Sequence, residues 1–302
     1  MKTPVALLIF KRPETTEKVF EAIRQAKPPK LLVVADGPRA DKPGEAEQCA
    51  AARAIIDRVD WDCEVLKNYS DVNLGCGLRP ATGITWVFEQ VEEAIIFEDD
   101  CLPHPTFFQF CEELLSKYRN DERVMAIAGT SLVGEWRSPL QSYYFSQFGG
   151  NWGWASWRRA WKFFDYNIKL FPQLLEAQFL EHYLREPKYY LYWKKLFQEI
   201  YESPDRSCWD YQWLLACWMQ NGLKICPEVN LITNIGFGAN ATHTFSDNPL
   251  ANVQTKEINL PLKHPQFMIQ DFQADHLIQE KFFNVGFMSK LKRKIAGTIK
   301  IK

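Results

Sequence analysis

The chain opens on an unbroken apolar run, Val5-Ala6-Leu7-Leu8-Ile9-Phe10, the pattern of a strand covered on both faces. From Thr15 to Ala26 the apolar positions change to helical spacing, with Val19, Phe20 and Ile23 on one face and Pro28-Pro29 as the stop. Leu31 to Ala35 reads as a second buried strand that ends in the turn Asp36-Gly37-Pro38. The reading continues with an Ala-rich helix over about 45–58 and a short strand at 63–66. A turn-rich loop at Asn73-Leu74-Gly75-Cys76-Gly77 then precedes a helix over about 80–91. A fourth strand, Ala94-Ile95-Ile96-Phe97, runs straight into Glu98-Asp99-Asp100. A helix over 105–118 and a fifth strand over 124–128 complete the first part. Beyond it, Tyr143 to Phe145 reads as an edge strand, followed by a Gly/Trp segment and helices rich in Trp and Tyr.

Strands alternating with helices predict an α/β fold with a mixed, mostly parallel central sheet flanked by helices, joined to a helical, aromatic-rich second half. The expected division is 1–134, 135–269 and a C-terminal tail, 270–302. In open sheets of this kind, ligands bind beyond the carboxyl ends of the strands. Three of those ends are polar or charged: Lys11-Arg12, Asp36-Gly37 and Glu98-Asp99-Asp100.

Adjacent carboxylates at the end of a buried strand repel one another and lose solvation, which a bound cation relieves. Oxygen ligands suit Mn²⁺ or Mg²⁺; the competing reading is a solvated turn of surface acids. The other positions stay open on local sequence alone. Asp36 fits either turn chemistry or a hydrogen bond to a base or ribose. Arg12 is either an exposed residue before Pro13 or a contact to a diphosphate or base. Gly75 and Gly77 would let backbone amides approach a phosphate, with Arg79 opening the next helix toward the same cleft. Asp210, in Cys208-Trp209-Asp210-Tyr211, is either helix-start chemistry or a general base. Trp152, Trp154, Trp157 and Trp161 form an aromatic group that serves as core or as a sugar-facing surface. Asn234 to His243 reads as a Gly-containing loop able to close on substrate, with His243 a metal ligand, a phosphate contact or a solvated loop residue.

Neither G-x-G-x-x-G after the first strand nor G-x-x-x-x-G-K-[ST] occurs, which disfavours dinucleotide-fingerprint and P-loop readings. Lys+Arg totals 36 against 37 Asp+Glu, a net charge of -1 that argues against nucleic acid as a partner. Eight scattered cysteines without a CxxC pair read as reduced thiols. With no leader-like N-terminus and no run of ~20 apolar residues, the expected location is cytoplasmic. Lys290, Lys292, Arg293 and Lys294, beside Phe282, Phe283, Phe287 and Leu291, suggest a basic amphipathic tail able to touch the inner face of an anionic membrane.

The order of these features resembles the nucleotide-sugar glycosyltransferases of the GT-A fold, and most of all the inverting N-acetylglucosaminyltransferase I family. The likeness spans about residues 4–245: an Arg after the first strand, Asp-Gly after the second, Glu-Asp-Asp after the fourth, then Gly-Asn-Trp-Gly-Trp, Trp-Asp and a Gly-rich loop ending in His. It implies that Asp100 ligates Mn²⁺ and that Asp99 and Glu98 meet the ribose and donor sugar. It further implies that Asp36 and Arg12 hold the uracil, that Arg79 lies near the nucleotide and that Trp152 flanks the donor sugar. Asp210 would be the base, with Thr242 and His243 in the loop over the diphosphate. The expected substrates are a UDP-sugar donor and a glycan or lipid-linked glycan acceptor, in surface polysaccharide synthesis. The competing classes are a retaining transferase on the same fold, a sugar nucleotidyltransferase, and a non-catalytic nucleotide- or glycan-binding protein.

Overall fold

A computed structural model of the chain describes residues 1–137, 139–204, 206–237 and 253–283. In chain order the elements are β1 (Val5–Ile9), α1 (Pro13–Ala26), β2 (Lys30–Ala35), α2 (Glu45–Ile55), β3 (Glu64–Tyr69), α3 (Gly75–Gln90), β4 (Glu93–Glu98), β5 (Cys101–Pro103) and α4 (Thr106–Lys117). They continue with β6 (Val124–Ala128), β7 (Tyr143–Ser146), β8 (Trp154–Trp157), α5 (Arg158–Trp161), α6 (Phe171–Glu176), α7 (Phe179–Leu184), α8 (Pro187–Glu202), α9 (Asp210–Met219), β9 (Leu223–Pro227), β10 (Ile232–Asn234) and α10 (Phe272–Ile278).

Two units separate. The first holds residues 1–166 and 205–271. Its eight-stranded sheet has the order β3-β2-β1-β4-β8-β6-β9-β7. β1 pairs in parallel with both β2 and β4, and β2 with β3. β8 runs antiparallel between β4 and β6, and β7 is antiparallel to β9. The sheet is therefore mixed but mostly parallel, as the strand and helix periods predict. Strands on both sides of residue 134 share it.

The apolar runs explain this packing, because alternate residues of each strand enter opposite cores. Val5, Leu7 and Ile9, with Leu31, Val33, Ile95 and Phe97, face α1, α2 and α4. Ala6 and Leu8, with Leu32, Val34, Ala94 and Ile96, face α3, α5 and α9. Both faces are covered, so these strands carry no polar alternation. Three of the four clustered tryptophans are core: Trp154, Trp157 and Trp161 are buried. Trp154 and Trp209 stack at 5.7 Å, which fixes the start of α9 against the sheet.

Two sequence expectations need correction. α3 begins at Gly75, so Gly75 and Gly77 lie in its first turns rather than in a phosphate loop, with Pro80 inside the helix. A Cβ on Gly77 would fall 2.0 Å from the Arg206 carbonyl oxygen, so this glycine admits the strand of chain before α9. β8, β9 and β10 were also not anticipated; short strands among Trp, Gly and Pro lack a clear period.

The second unit joins residues 167–204 to those from Phe272 on. Trp193 of α8 packs on Phe197 at 5.6 Å and on Phe283 at 4.7 Å. Phe283, read from the sequence as part of a membrane-facing surface, is thus engaged in the packing of this unit. The basic residues Lys290, Lys292, Arg293 and Lys294 lie outside the described residues, as do Phe287 and Leu291. Among the described residues no helix is long and apolar enough to cross a membrane, and all eight cysteines are free thiols.

Arg159 ties α5 to the end of α4. Its guanidinium donates to the carbonyls of Arg119 (2.6 Å), Tyr118 (2.8 Å) and Val124 (2.9 Å), and lies 4.3 Å from the Trp157 ring. Hydrogen bonds from a charged donor are worth more than neutral ones, and these three join the chain after α4 to the start of β6. Arg159→Ala is expected to lower stability by about 2–3 kcal/mol in urea unfolding, with Arg159→Lys recovering only part. A loss below about 0.5 kcal/mol would contradict this anchoring role.

Candidate active site

The carboxyl ends of β1 and β4 lie side by side because these strands pair in parallel, with Leu8 opposite Glu98. That register brings Arg12 to the acidic triplet. Arg12 Nη2 donates to Asp99 Oδ1 at 2.6 Å and Nη1 donates to Asp100 Oδ2 at 2.9 Å. The Phe10 backbone N–H donates to the other oxygen of Asp99 at 3.3 Å. The two Asp side chains are 4% and 8% exposed, whereas Arg12 keeps 23%. Desolvated carboxylates are here held by a guanidinium that still reaches water.

Burial raises the pKa of Glu98, and the charges of Asp100, Asp99 and Asp210 add to the rise against the pull of Arg12. Glu98 is partly open to solvent but packed round by protein. Burial also raises Asp99, with Arg12 and the Phe10 amide working against it. Burial acts against the charge of Arg12, yet Asp99 and Asp100 outweigh it and its pKa moves up. Asp210, the first residue of α9, is close enough for its charge to act on Glu98. The first turn of α9 thus lies within electrostatic reach of Glu98.

A second layer comes from the chain after β9. β10 pairs antiparallel with β5, Asn234 opposite Cys101, and the Ile235 N–H donates to the Asp100 carbonyl at 2.8 Å. A Cβ on Gly236 would fall 2.2 Å from Asp100 Oδ2 and 2.7 Å from Arg12 Nη1. Bare backbone thus lies directly on the ion pair, which is the physical reason for glycine there. Phe237 meets the Trp152 ring edge-on at 5.6 Å. Trp152 accordingly stands beside the segment that covers Asp100.

Asp36 and Arg79 form a different cluster. Asp36 Oδ1 accepts from the N–H groups of Gly37 (2.9 Å) and Leu74 (2.8 Å). Its Oδ2 accepts from Asn73 Nδ2 and the Gly75 N–H, both at 3.0 Å. These four donors fill the lone-pair sites of a carboxylate, so Asp36 braces the start of α3 where a direct uracil contact was expected. Arg79 is buried. Its Nε donates to the Ala35 carbonyl at 3.1 Å and its Nη2 to Asn68 Oδ1 at 2.8 Å and to the Asn68 carbonyl. Instead of pointing at a nucleotide it ties β2 to β3. Thr242 and His243 lie outside the described residues.

Sequence reading missed a basic rim next to Arg12. Lys11 Nζ donates to Glu45 at 2.6 Å, Arg39 donates to the same buried carboxylate, and both cations lie within 6 Å of the Phe10 ring. Only the adjacency of Lys11 to Arg12 hinted at it; Glu45 and Arg39 come from the next connection.

Among the described residues no three of His, Cys, Asp or Glu converge as a metal shell. Burial and the neighbouring carboxylates hold the Cys101 thiol protonated, so it offers no thiolate. The donor set fits Mn²⁺ or Mg²⁺ taking most of its ligands from substrate phosphates and water, and does not fit an ion held by protein side chains alone.

No protein-family model and no curated protein matches the chain. Solved structures give weak likenesses. The 4-diphosphocytidyl-2C-methyl-D-erythritol synthase of Anaerococcus prevotii aligns at TM-score 0.38 and 10% identity, over 74% of this chain and 88% of that one. Mouse xyloside xylosyltransferase 1 in its apo form aligns at TM-score 0.36 and 12% identity, over 72% and 82%. An apo UDP-glucose pyrophosphorylase aligns at TM-score 0.36 and 9% identity, over 76% and 93%. At these scores the likenesses do not bear on chemistry, which is argued from the chain's own residues.

A carboxylate whose pKa is raised on folding costs stability as pH climbs from its unfolded value through its folded one. Glu98→Gln is therefore expected to raise the midpoint of thermal unfolding at pH 8.5 without divalent ions, and to leave it nearly unchanged at pH 4. A variant no more stable than wild type at pH 8.5 would show that Glu98 carries no such burden.

Proposed function

We propose that the protein is a metal-dependent, inverting glycosyltransferase of the GT-A type, acting on a UDP-sugar. The observation that carries this reading is the convergence of Arg12, Glu98, Asp99, Asp100 and Asp210 at the carboxyl ends of β1 and β4. The site is polar, partly desolvated and lies where open α/β sheets bind nucleotides. The motif order seen in the sequence supports the same class.

In this reading Asp100 meets the divalent ion, Asp99 and Glu98 face the ribose and donor sugar, and Trp152 flanks that sugar. Glu98, whose carboxyl is pushed toward its protonated form by burial and its acidic neighbours, pairs with a hydroxyl of the donor sugar. A divalent ion, when bound, supplies positive charge to the leaving diphosphate. Arg12 adds a second positive group at the same end of the site. Asp210 accepts the proton of the acceptor hydroxyl as that oxygen attacks the anomeric carbon from the face opposite the diphosphate, which inverts the configuration. Asp36, Arg79 and the Glu45 network hold the surrounding turns in place. Residues 1–134 supply most donor contacts and 135–269 the acceptor side, with Thr242 and His243 assigned to the diphosphate. The acceptor is a glycan or lipid-linked glycan of a surface polysaccharide, and attachment of the basic tail to an anionic membrane would suit a lipid-linked one.

Release of UDP from a panel of UDP-sugars, followed with Mn²⁺ and with EDTA, tests the reading. Wild type should release UDP only with the metal, and Asp100→Ala should lose at least about 100-fold. Asp210→Asn should bind UDP normally while transfer falls by about 100- to 10,000-fold. Metal-independent release, or full transfer by Asp210→Asn, would overturn the metal or the base assignment respectively. No release from any donor would remove the transferase reading.

A further inference from the structure

Three consecutive acids at a buried strand end need a counter-charge even before any nucleotide arrives, and the chain already contains one. The Arg12 guanidinium is planar and forked, so it spans Asp99 and Asp100 at once, at 2.6 and 2.9 Å. The oxygen it occupies on Asp100 belongs to the carboxylate assigned to the divalent ion. The other oxygen, Oδ1, accepts from the Cys101 thiol at 3.5 Å, so an ion bound there would still sit across one carboxylate from the guanidinium, and two cations that close repel strongly. Among the described residues no further carboxylate, imidazole or thiolate completes a protein shell that would favour the ion outright.

We propose that Arg12 is an exchangeable internal cation, which neutralises Asp99 and Asp100 until a divalent ion takes Asp100 and then passes to the donor's diphosphate. The inference rests on the nucleotide-sugar reading above. Arg12 has the means to move. Its side chain keeps 23% exposure while the two carboxylates are nearly closed off, and it stands in the connection between β1 and α1. A guanidinium also matches phosphate as well as carboxylate in a two-pronged contact. The backbone at Gly236 seals the pair from the other side, so the exchange is felt at the root of the segment that meets Trp152 through Phe237. Binding of ion and nucleotide should then be ordered, because neither alone repays Arg12 for leaving its carboxylates. The device keeps a counter-charge on the buried acids in the free protein and makes ion uptake depend on the diphosphate.

The test is Mn²⁺ binding, measured by loss of the free-ion electron paramagnetic resonance signal at pH 8, for wild type, Arg12→Gln and Arg12→Lys, with and without UDP. Without UDP, Arg12→Gln should bind Mn²⁺ about tenfold or more tightly than wild type, since a charge at this range is worth about one to three pKa units. Arg12→Lys, whose compact ammonium cannot bridge both carboxylates, should fall between them. With UDP the order should reverse: wild type gains the Arg12–phosphate contact and Arg12→Gln does not. A purely structural Arg12 would weaken both arms in parallel. Equal or weaker Mn²⁺ binding by both variants without UDP, alongside UDP-dependent Mn²⁺ uptake by wild type, overturns the exchange but leaves the metal-dependent reading standing. No uptake by any of the three proteins, with or without UDP, overturns both.

Discussion

The arrangement depends on the cost of placing three carboxylates at the closed end of a central strand. β4 is buried on both faces over Ala94 to Phe97, and of the acids that follow, Asp99 and Asp100 are buried while Glu98 keeps some contact with water. Like charges in so little solvent raise one another's proton affinity. The surrounding chain is organised to contain that cost. The chain after β1 contributes the Phe10 amide and Arg12, the chain after β10 contributes the bare backbone of Gly236, and α9 adds rather than removes negative charge through Asp210. Packing alone would not keep such a cluster. A fold with no use for cations at this point would gain stability from apolar or neutral residues there.

Two positive groups of different kinds then answer to one set of acids. A guanidinium is permanently charged and tethered, whereas a hard divalent ion comes and goes with its phosphate ligands. On the reading proposed above, their competition for Asp100 would link the resting electrostatics of the site to nucleotide binding without any large rearrangement of the sheet. The supporting networks are fixed by contrast. Asp36 is saturated by four donors from residues 37 and 73–75, and Arg79 is bound to backbone carbonyls of β2 and β3. They tie down the turns that flank the ends of β1 and β4.

Much of this was legible in the sequence, and the gaps have physical causes. The parallel core was readable because Val5–Ile9, Leu31–Ala35 and Ala94–Phe97 lack polar alternation, and the triplet because it directly follows one of these runs. The partnership of Arg12 with Asp99 and Asp100 spans nearly ninety residues and is set by strand register, which local pattern does not encode. Asp36 and Arg79 looked ligand-facing because they end a strand and open a helix. Only the count of donors and acceptors around them reveals that they are satisfied by nearby backbone and by the side chains of Asn73 and Asn68. The tryptophan strand β8 was hidden because Trp154-Ala155-Ser156-Trp157 has a reversed direction and no apolar period. The Glu45 network was invisible because Lys11 follows β1 whereas Arg39 and Glu45 come from the connection after β2.

The central claim is that the ends of β1 and β4 receive a nucleotide diphosphate together with a divalent ion. The most direct measurement is a crystal structure with Mn²⁺ and UDP, phased to locate the ion by its anomalous scattering. The account predicts an anomalous peak against the Asp100 carboxylate, the diphosphate beyond it, and Arg12 turned from Asp100 to a phosphate oxygen. Nucleotide bound elsewhere, or Arg12 still paired with Asp100 beside an ordered UDP and no peak there, would contradict it.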